Sequence, residues 1–297
     1  MLDAVGLGAL NLDELLYIPR MPERDDSVPI ERRVQRGGGS AANTICWLAY
    51  LGRKVGFVGK VGSDNAGDLL LREFEKHGVD TSRVVRGDGY SGTAFCLVSG
   101  DDRRILVDPG VNDDLRPEEV DIDYIREARI LHTSSFIGLR SETSLETLKR
   151  TMKAVSDELM VTFSPATMVL RGWSYLEPYF EAADVVFLNE TEAVHLTGDV
   201  EETLNRLAEL VEITIITRGP DPAIVQEGTE TSEVAPEPVP EEDIVDPTGA
   251  GDAFAAGFIE GILRGESADR CCERGHAVAA ECLRIEGCRP PSEGRPE

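Results

Sequence analysis

Val245-Asp-Pro-Thr-Gly-Ala-Gly-Asp-Ala-Phe254 is the stretch on which the reading of this chain turns. A β-branched approach ends at Pro247, a glycine-rich turn follows, and a helix opens with Asp252 in its first turn. The first N–H groups of a helix lack intrahelical partners and carry partial positive charge, so such a start makes an anion site. Gly249 and Gly251 let an anion approach the backbone closely. A carboxylate beside that site repels a resting phosphate, and its presence needs a reason. One reason is chemical: Asp252 orients and deprotonates a hydroxyl that attacks a phosphoryl group. The other is an ordinary acidic residue at a helix start. The stretch by itself leaves both open.

A chain of 297 residues, 41% of them apolar, can bury one large α/β core with or without a small appendage. No apolar run approaches a membrane span, and the start Met1-Leu-Asp-Ala-Val-Gly-Leu-Gly reads as a core strand, so the expected location is the cytoplasm. A formal charge of -25 argues against nucleic acid as a partner, since phosphate backbones attract clustered Lys and Arg. Lysine is confined to Lys54, Lys60, Lys76, Lys149 and Lys153. Such an acidic, lysine-poor surface matches proteins of salty cytoplasms, where screening weakens self-repulsion, and matches coding bias equally. The cysteines at 46, 96, 271, 272, 282 and 288 read as small buried thiols, with neither disulfide-scaffold nor tetrahedral metal spacing.

Strand and helix signals alternate along most of the chain. Strands are expected at 5–10, 55–61, 130–133, 159–163, 184–188 and 213–217. Helices are expected at 40–51, 68–77, 144–155, 191–196, 201–210, 251–264 and 268–283. Strands joined by helices of this length predict a mainly parallel sheet covered on both faces. Two segments break the rhythm: the charged, proline-punctuated stretch from Glu14 to Arg36, and Gly92 to Val107, where Ser99-Gly-Asp-Asp joins two strand-like runs. Paired, they predict a small antiparallel sheet beside the main domain. A short edge hairpin is expected within 227–243.

Polar turns gather at strand ends, where open α/β sheets bind ligands. Asn11 and Asp13, just past the first strand, lie on one side of an extended chain and suit adjacent hydroxyls of a polyol; turn capping is the rival reading. Gly37-Gly-Gly-Ser-Ala-Ala-Asn43 enters a helix without the lysine of a phosphate-binding P-loop, and the dinucleotide fingerprint is absent. Close approach of a hydroxyl-rich ligand to Gly38 and Gly39, with Asn43 donating and accepting, fits this segment, as does a plain tight turn. Asn189-Glu-Thr-Glu192 suits water held on Mg²⁺ and also suits helix capping. Thr217, Arg218 and Gly219 close another strand with groups suited to phosphates. The histidines have no ligand spacing, although His276 could line an adenine pocket.

These clusters, in this order, resemble the ribokinase-like (PfkB) carbohydrate kinase family. Asp246-Pro-Thr-Gly-Ala-Gly-Asp252 is the most specific match, Gly38-Gly-Ser-Ala-Ala-Asn43 the second. Asn189-x-x-Glu192, Thr217-Arg-Gly219 and Gly110-Val-Asn112 fall in the expected sequence, over residues 3 to 292. The resemblance implies an α/β fold: a ribokinase-like three-layer sandwich with a mainly parallel central sheet and a small β-sheet lid. It implies one kinase domain over 1–297, with the lid formed by about 14–36 and 92–109. It implies ATP-dependent phosphoryl transfer to a hydroxyl of a small sugar, with Asp252 as base and the N–H groups of Gly249, Ala250 and Gly251 as anion hole. Asn11, Asp13, Gly38, Gly39, Asn43, Phe95 and Asn112 would meet the acceptor. Asn189, Glu192, Thr217, Gly219 and His276 would serve the nucleotide, with Glu192 reaching Mg²⁺ through water. A monovalent cation, expected to be K⁺, would use Asp246, Thr248, Glu286, Cys288 and Ser292. The lid would also build a homodimer.

The sequence departs from the family pattern at Pro222, at Ser164 before Pro165, and at His276, none of which touches the expected base. A nucleoside kinase using the same site is the alternative to a sugar kinase. A non-catalytic sugar-binding regulator is the third reading, and the intact Asp252 turn speaks against it.

Overall fold

Strands apolar on both sides form the spine of the molecule. The computed structural model describes residues 1–100, 102–139 and 141–291. In chain order come β1 (Leu2–Leu7), β2 (Asn11–Tyr17), β3 (Arg32–Gly38), α1 (Ser40–Tyr50), β4 (Val55–Gly62), α2 (Asn65–Lys76), β5 (Asp80–Gly87), β6 (Gly92–Ser99) and β7 (Asp102–Asp108). The middle supplies α3 (Ile122–Arg126), β8 (Ala128–Ser134), α4 (Thr143–Val155), β9 (Met160–Ser164), α5 (Trp173–Phe180), β10 (Val185–Asn189), α6 (Glu190–Thr197) and α7 (Val200–Leu207). The last third holds β11 (Ile213–Arg218), β12 (Asp221–Glu227), β13 (Glu230–Val234), α8 (Ala250–Arg264) and α9 (Ala268–Leu283).

Nine strands form the main sheet in the order β13-β12-β11-β10-β9-β8-β1-β4-β5. Strands β5 through β11 run parallel, and β12 and β13 add an antiparallel edge. Period-two alternation sends Val185 and Phe187 into one core and Val186 and Leu188 into the other. The first core lies under α1, α2, α8 and α9; the second lies under α3 to α7. That is a three-layer sandwich. The chain leaves β1 for β4 on one side and later fills β8 on the other, so the strand order reverses at β1. Ligands of open α/β sheets bind beyond the strand ends at such a reversal.

The second sheet has the order β3-β2-β6-β7. The β2–β3 and β6–β7 pairs are antiparallel, and the central β2–β6 pair runs parallel, because both strands arrive from the same edge of the main domain. It begins at Asn11 and includes Gly38, so the lid embraces the residues that the sequence reading set just outside it.

Several elements differ from expectation without changing the architecture. The first strand is Leu2–Leu7, starting three residues earlier. The polar edge strand Asp80–Gly87 and the proline-containing helix Trp173–Phe180 carry no clear apolar period and were not expected. The edge hairpin turns at Gly228 and spans 221–234, so its second strand falls within 227–243 and its first precedes it. Among the described residues, no helix is long and apolar enough to cross a membrane.

Helix α8 is seated by aromatic packing: Phe258 is fully buried, with its ring centroid 5.4 Å from that of Phe187 and 6.4 Å from that of Phe254. Phe258→Ala is expected to destabilise the fold by about 3–5 kcal/mol, read from urea unfolding, through the cavity it leaves.

Candidate active site

Helix α8 starts at a turn that only glycine closes well. Gly249 has φ 81°, and a Cβ there would lie 2.6 Å from the Cys288 Cβ. The Ala250 N–H is directed to the Pro247 carbonyl at 3.3 Å. The N–H groups of Gly249 and Gly251 have no partner among the described residues, and the space around Gly251 is open. The turn therefore presents backbone donors, with Ala250 partly committed to holding its shape.

Asp252 follows in the first turn. Its Oδ1 accepts from Ser40 Oγ at 2.7 Å and its Oδ2 from Asn43 Nδ2 at 2.8 Å. Thr44 Oγ1 donates to the Asp252 carbonyl at 3.1 Å. The start of α1 thus fixes the start of α8. Burial pushes the Asp252 carboxyl up to about 6, against the Asn43 and Ser40 bonds and the Arg289 charge, which pull it down. A carboxylate with that affinity is ionised near neutrality yet still accepts a proton, as a general base must.

Asp13 lies across the cavity. Burial lifts it to about 6 as well, and Asp252 adds to the lift, while Arg289, the Cys288 thiol and Arg103 lower it. A Cβ on Gly38 would fall 2.3 Å from an Asp13 carboxylate oxygen, so Gly38 leaves room for that carboxylate. Gly39, at φ 103°, would drive a Cβ to 2.1 Å from the Ala9 carbonyl. Asn112 is buried and clamps the chain beneath: its Oδ1 accepts from Leu10 N at 3.1 Å, and its Nδ2 donates to Asn11 Oδ1 at 2.7 Å. Asn112 acts through Asn11, as a positioning residue, where the sequence reading placed it against the acceptor. Phe95 also differs from expectation. It pairs with Glu14, so strand alternation puts it on the lid face opposite to Asp13, 40% exposed. The side chains of Cys96 and Ile105 share the Asp13 face instead.

On the other side of Asp252, a cleft of 540 Å³ is lined by Asn189, Glu192, Thr217 and Gly219. A smaller cavity joins Asn189, Glu192 and Thr217 to Ser40, Gly251 and Asp252. Asn189 and Glu192 form a reciprocal capping box: Asn189 Oδ1 accepts from Glu192 N at 2.8 Å, and Glu192 Oε2 from Asn189 N at 3.0 Å. The capping reading is therefore present, and the residues still face the shared cavity. Burial raises the Glu192 carboxyl, the Asn189 N–H lowers it, and Asp252 raises it further. Two carboxylates that feel one another across a polar cavity, one with an oxygen beyond its capping bond, fit a hydrated Mg²⁺. Ala166 lines both cavities with φ 45°, a strained backbone for a residue with a Cβ, and the sequence carried no signal of it.

Three of the expected groups already have protein partners. Arg218 lines the cleft, with Nε donating to the Pro222 carbonyl at 2.5 Å and Nη2 to Glu233 at 2.6 Å, so its charge is shared with Glu233. His276 is buried, its Nε2 paired with the Val234 carbonyl at 3.0 Å and its ring edge-on to Phe254. Nε2 is thereby spent on that strand. The set named for a monovalent cation also serves protein donors. Asp246 accepts from Thr248 N, Thr248 Oγ1 and Gly287 N, the Glu286 carbonyl accepts from Arg36, and the Cys288 carbonyl accepts from Trp47 Nε1 at 3.0 Å. Ser292 lies outside the described residues.

Two arginines and a glutamate had no signal in the sequence. Arg289, past the last helix, is buried and donates to Asn43 Oδ1 at 3.2 Å, Gly38 O at 3.0 Å and Glu73 at 3.0 Å. Arg103 reaches from β7 to Thr248. Glu286 latches the lid: Tyr17 OH at 2.8 Å, Arg32 at 2.9 Å and Arg36 at 2.7 Å all donate to its carboxylate.

A carboxylate beside open backbone donors at a helix start, with a polar cleft behind it, sits here on a ribokinase-type fold. The chain matches the pfkB family carbohydrate kinase model over residues 3–295 and belongs to that family. It is 37% identical over 246 residues to an uncharacterized sugar kinase of Archaeoglobus fulgidus, covering 82% of this chain and 96% of that one. It is 35% identical to the ATP-dependent ribose-1-phosphate kinase of Halopiger xanaduensis, covering 97% of this chain and 94% of the relative. The ribokinase structure of Thermotoga maritima superposes with a TM-score of 0.85 at 26% identity, over 99% of this chain and 97% of that one. The protein is a sugar kinase in class, a phosphotransferase with an alcohol acceptor.

Glu286→Ala removes one carboxylate from three lid donors. The expected outcome is a raised acceptor KM together with more ATP hydrolysed per product formed, because a looser lid admits water as the competing acceptor. Coupled assays of ADP and of phosphorylated product check it.

Proposed function

We propose that this protein transfers the γ-phosphoryl group of ATP to a hydroxyl of a small sugar, with Asp252 as the general base. One observation carries the reading: Asp252, fixed by Ser40 and Asn43, shares a cavity with Asn189, Glu192 and Thr217 beside the open donors of the α8 turn. The sugar would rest on Asn11, Asp13, Gly38, Gly39 and Asn43. Asp252 takes its proton as the oxygen attacks, and the Gly249 and Gly251 N–H groups receive the charge that spreads over the transferring group. Bound Mg²⁺, organised through Asn189 and Glu192, would neutralise phosphate charge. Thr217 and Gly219 would position the nucleotide.

Nucleosides are the second reading, since the yeast adenosine kinase is 30% identical over 86% of this chain. The lid favours sugars, because Phe95 faces outward and Tyr17, the aromatic on the Asp13 face of β2, is covered by Arg32 and bonded to Glu286. We further read the exposed Phe95 and Leu106 as a surface that a second copy would cover in a homodimer, in a cytoplasmic protein. A monovalent cation, expected to be K⁺, stays in the reading, since the Asp246 carboxylate and the carbonyls near Glu286 keep acceptor capacity beyond the donors they serve.

Asp252→Asn is expected to lower kcat by about 10²–10⁴-fold while leaving ATP affinity largely unchanged. Near-normal turnover would sink the base assignment. In the wild type, kcat/KM should fall as pH drops below about 6, where Asp252 takes up its proton. The stability sign runs the other way. A carboxyl whose affinity folding has raised weakens the native state above that pH, so Asp252→Asn should melt higher than wild type at pH 7.

A further inference from the structure

Asn43 can hold Asp252 in only one of its two amide orientations. Its Nδ2 donates to Asp252 Oδ2 at 2.8 Å; turned over, the amide would set its oxygen against a carboxylate oxygen. The two ends of a side-chain amide are nearly alike in shape, so packing does not choose between them. The choice is made on the far side of Asn43. Arg289 Nε lies 3.2 Å from Asn43 Oδ1, and a guanidinium carries donors only, so the amide end that faces it is the oxygen. The NH₂ end is thereby sent to Asp252.

Arg289 is fixed in turn. Nη1 donates to Glu73 Oε2 and Nη2 to the Gly38 carbonyl, both at 3.0 Å, and the guanidinium lies over the buried Phe74 ring, 5.0 Å from its centroid. Glu73, on α2, also accepts from Gly37 N at 2.7 Å. A Cβ on Gly37 would collide with the Arg289 guanidinium and the Glu73 carboxylate, so the first glycine of the Gly37 to Gly39 triplet makes room for this pair. The Glu73 bond anchors the segment after α9 to α2. The Asn43 and Gly38 bonds reach the turn on which the acceptor would rest, and they bring to it a positive charge that is only 7% exposed, where water screens little. Burial raises the Asp252 carboxyl; the Asn43 and Ser40 bonds and then the Arg289 charge draw it back.

We propose that Arg289, braced by Glu73, is a positioning residue for phosphoryl transfer: it locks the Asn43 amide with its NH₂ group on Asp252 and supplies the buried positive charge that Asp252 feels. The proposal deepens the kinase reading and rests on it. Arg289 acts through Asn43 on the carboxylate that takes the acceptor proton. Without Arg289 the amide is free to turn and a counter-charge is gone, so Asp252 is both less well aligned and protonated up to a higher pH.

The test uses the full chain with MgATP and an acceptor panel of ribose, ribose 1-phosphate, fructose, 2-keto-3-deoxygluconate, adenosine and cytidine. Wild type, Arg289→Gln, Arg289→Lys, Asn43→Ala, the double variant of Asn43→Ala with Arg289→Gln, and Asp252→Asn are compared on the best acceptor across pH. Thermal unfolding and ATP binding check that each variant folds. Arg289→Gln is expected to lower kcat by about 10–100-fold with a smaller change in the KM for ATP, and to move the acid limb of kcat/KM upward by about half a pH unit or more. Arg289→Lys keeps the charge and loses the fork, so its acid limb should stay near that of wild type while kcat remains reduced. Because the effect passes through Asn43, the kcat loss of the double variant should fall short of the product of the single losses by at least about 3-fold. If the glutamine variant does not fold, the same cycle is run with lysine and the coupling alone decides. An acid limb that Arg289→Gln leaves in place, or kcat losses that simply multiply, overturns the proposal and leaves the kinase standing, with Arg289 a mere anchor of its segment. If no acceptor of the panel elicits ATP consumption that depends on Asp252, the kinase reading falls and this proposal with it.

Discussion

Two half-buried carboxylates, one of which feels the charge of the other, govern this structure. Asp252 and Asp13 both bind protons more tightly than exposed aspartates, each chiefly because burial disfavours its charge. Such a pair persists only where donors surround it. Ser40 and Asn43 hold Asp252, and the Arg289 guanidinium lowers both carboxyls while bonding to Asn43 and to the Gly38 carbonyl. The polarised start of α8 works in the same direction for Asp252. The result is a carboxylate that can take up a proton near neutral pH beside open backbone donors.

The lid depends on that arrangement and completes it. Strand β2 carries Asn11 and Asp13, and β3 ends in the glycines that leave space for Asp13. Part of the acceptor site is therefore lid. Glu286 gathers three lid donors from the far side, and Arg103 ties β7 to the turn that makes the anion hole. Closure, acceptor binding and the anion hole share side chains, which gives a physical route by which an acceptor could assemble the catalytic centre.

Local patterns made much of this legible. Glycines flanking a polar turn between a strand and a helix announced the anion site, and alternating apolar runs announced a parallel sheet with two covered faces. The missed elements had weak local signals: Asp80–Gly87 is a polar edge strand, and Trp173–Phe180 contains a proline. The misplaced roles have a different cause. Phe95 was assigned by residue type, whereas strand register decides which lid face it occupies. Arg218, His276 and the carbonyls near Glu286 looked wholly free because their partners lie far away in the chain or in a neighbouring hairpin, and only contact reveals those bonds.

By itself the sequence determined the architecture and the family, because periodicity and the turn chemistry of Asp246 to Asp252 are local properties. Tertiary structure alone decided which polar groups remain free. Arg289 bonds to residues more than two hundred positions away, and Glu286 latches strands from the first forty residues. Whether a hydrogen-bonding group can serve a ligand depends on the partners that folding has already brought to it, and those partners are set by long-range packing.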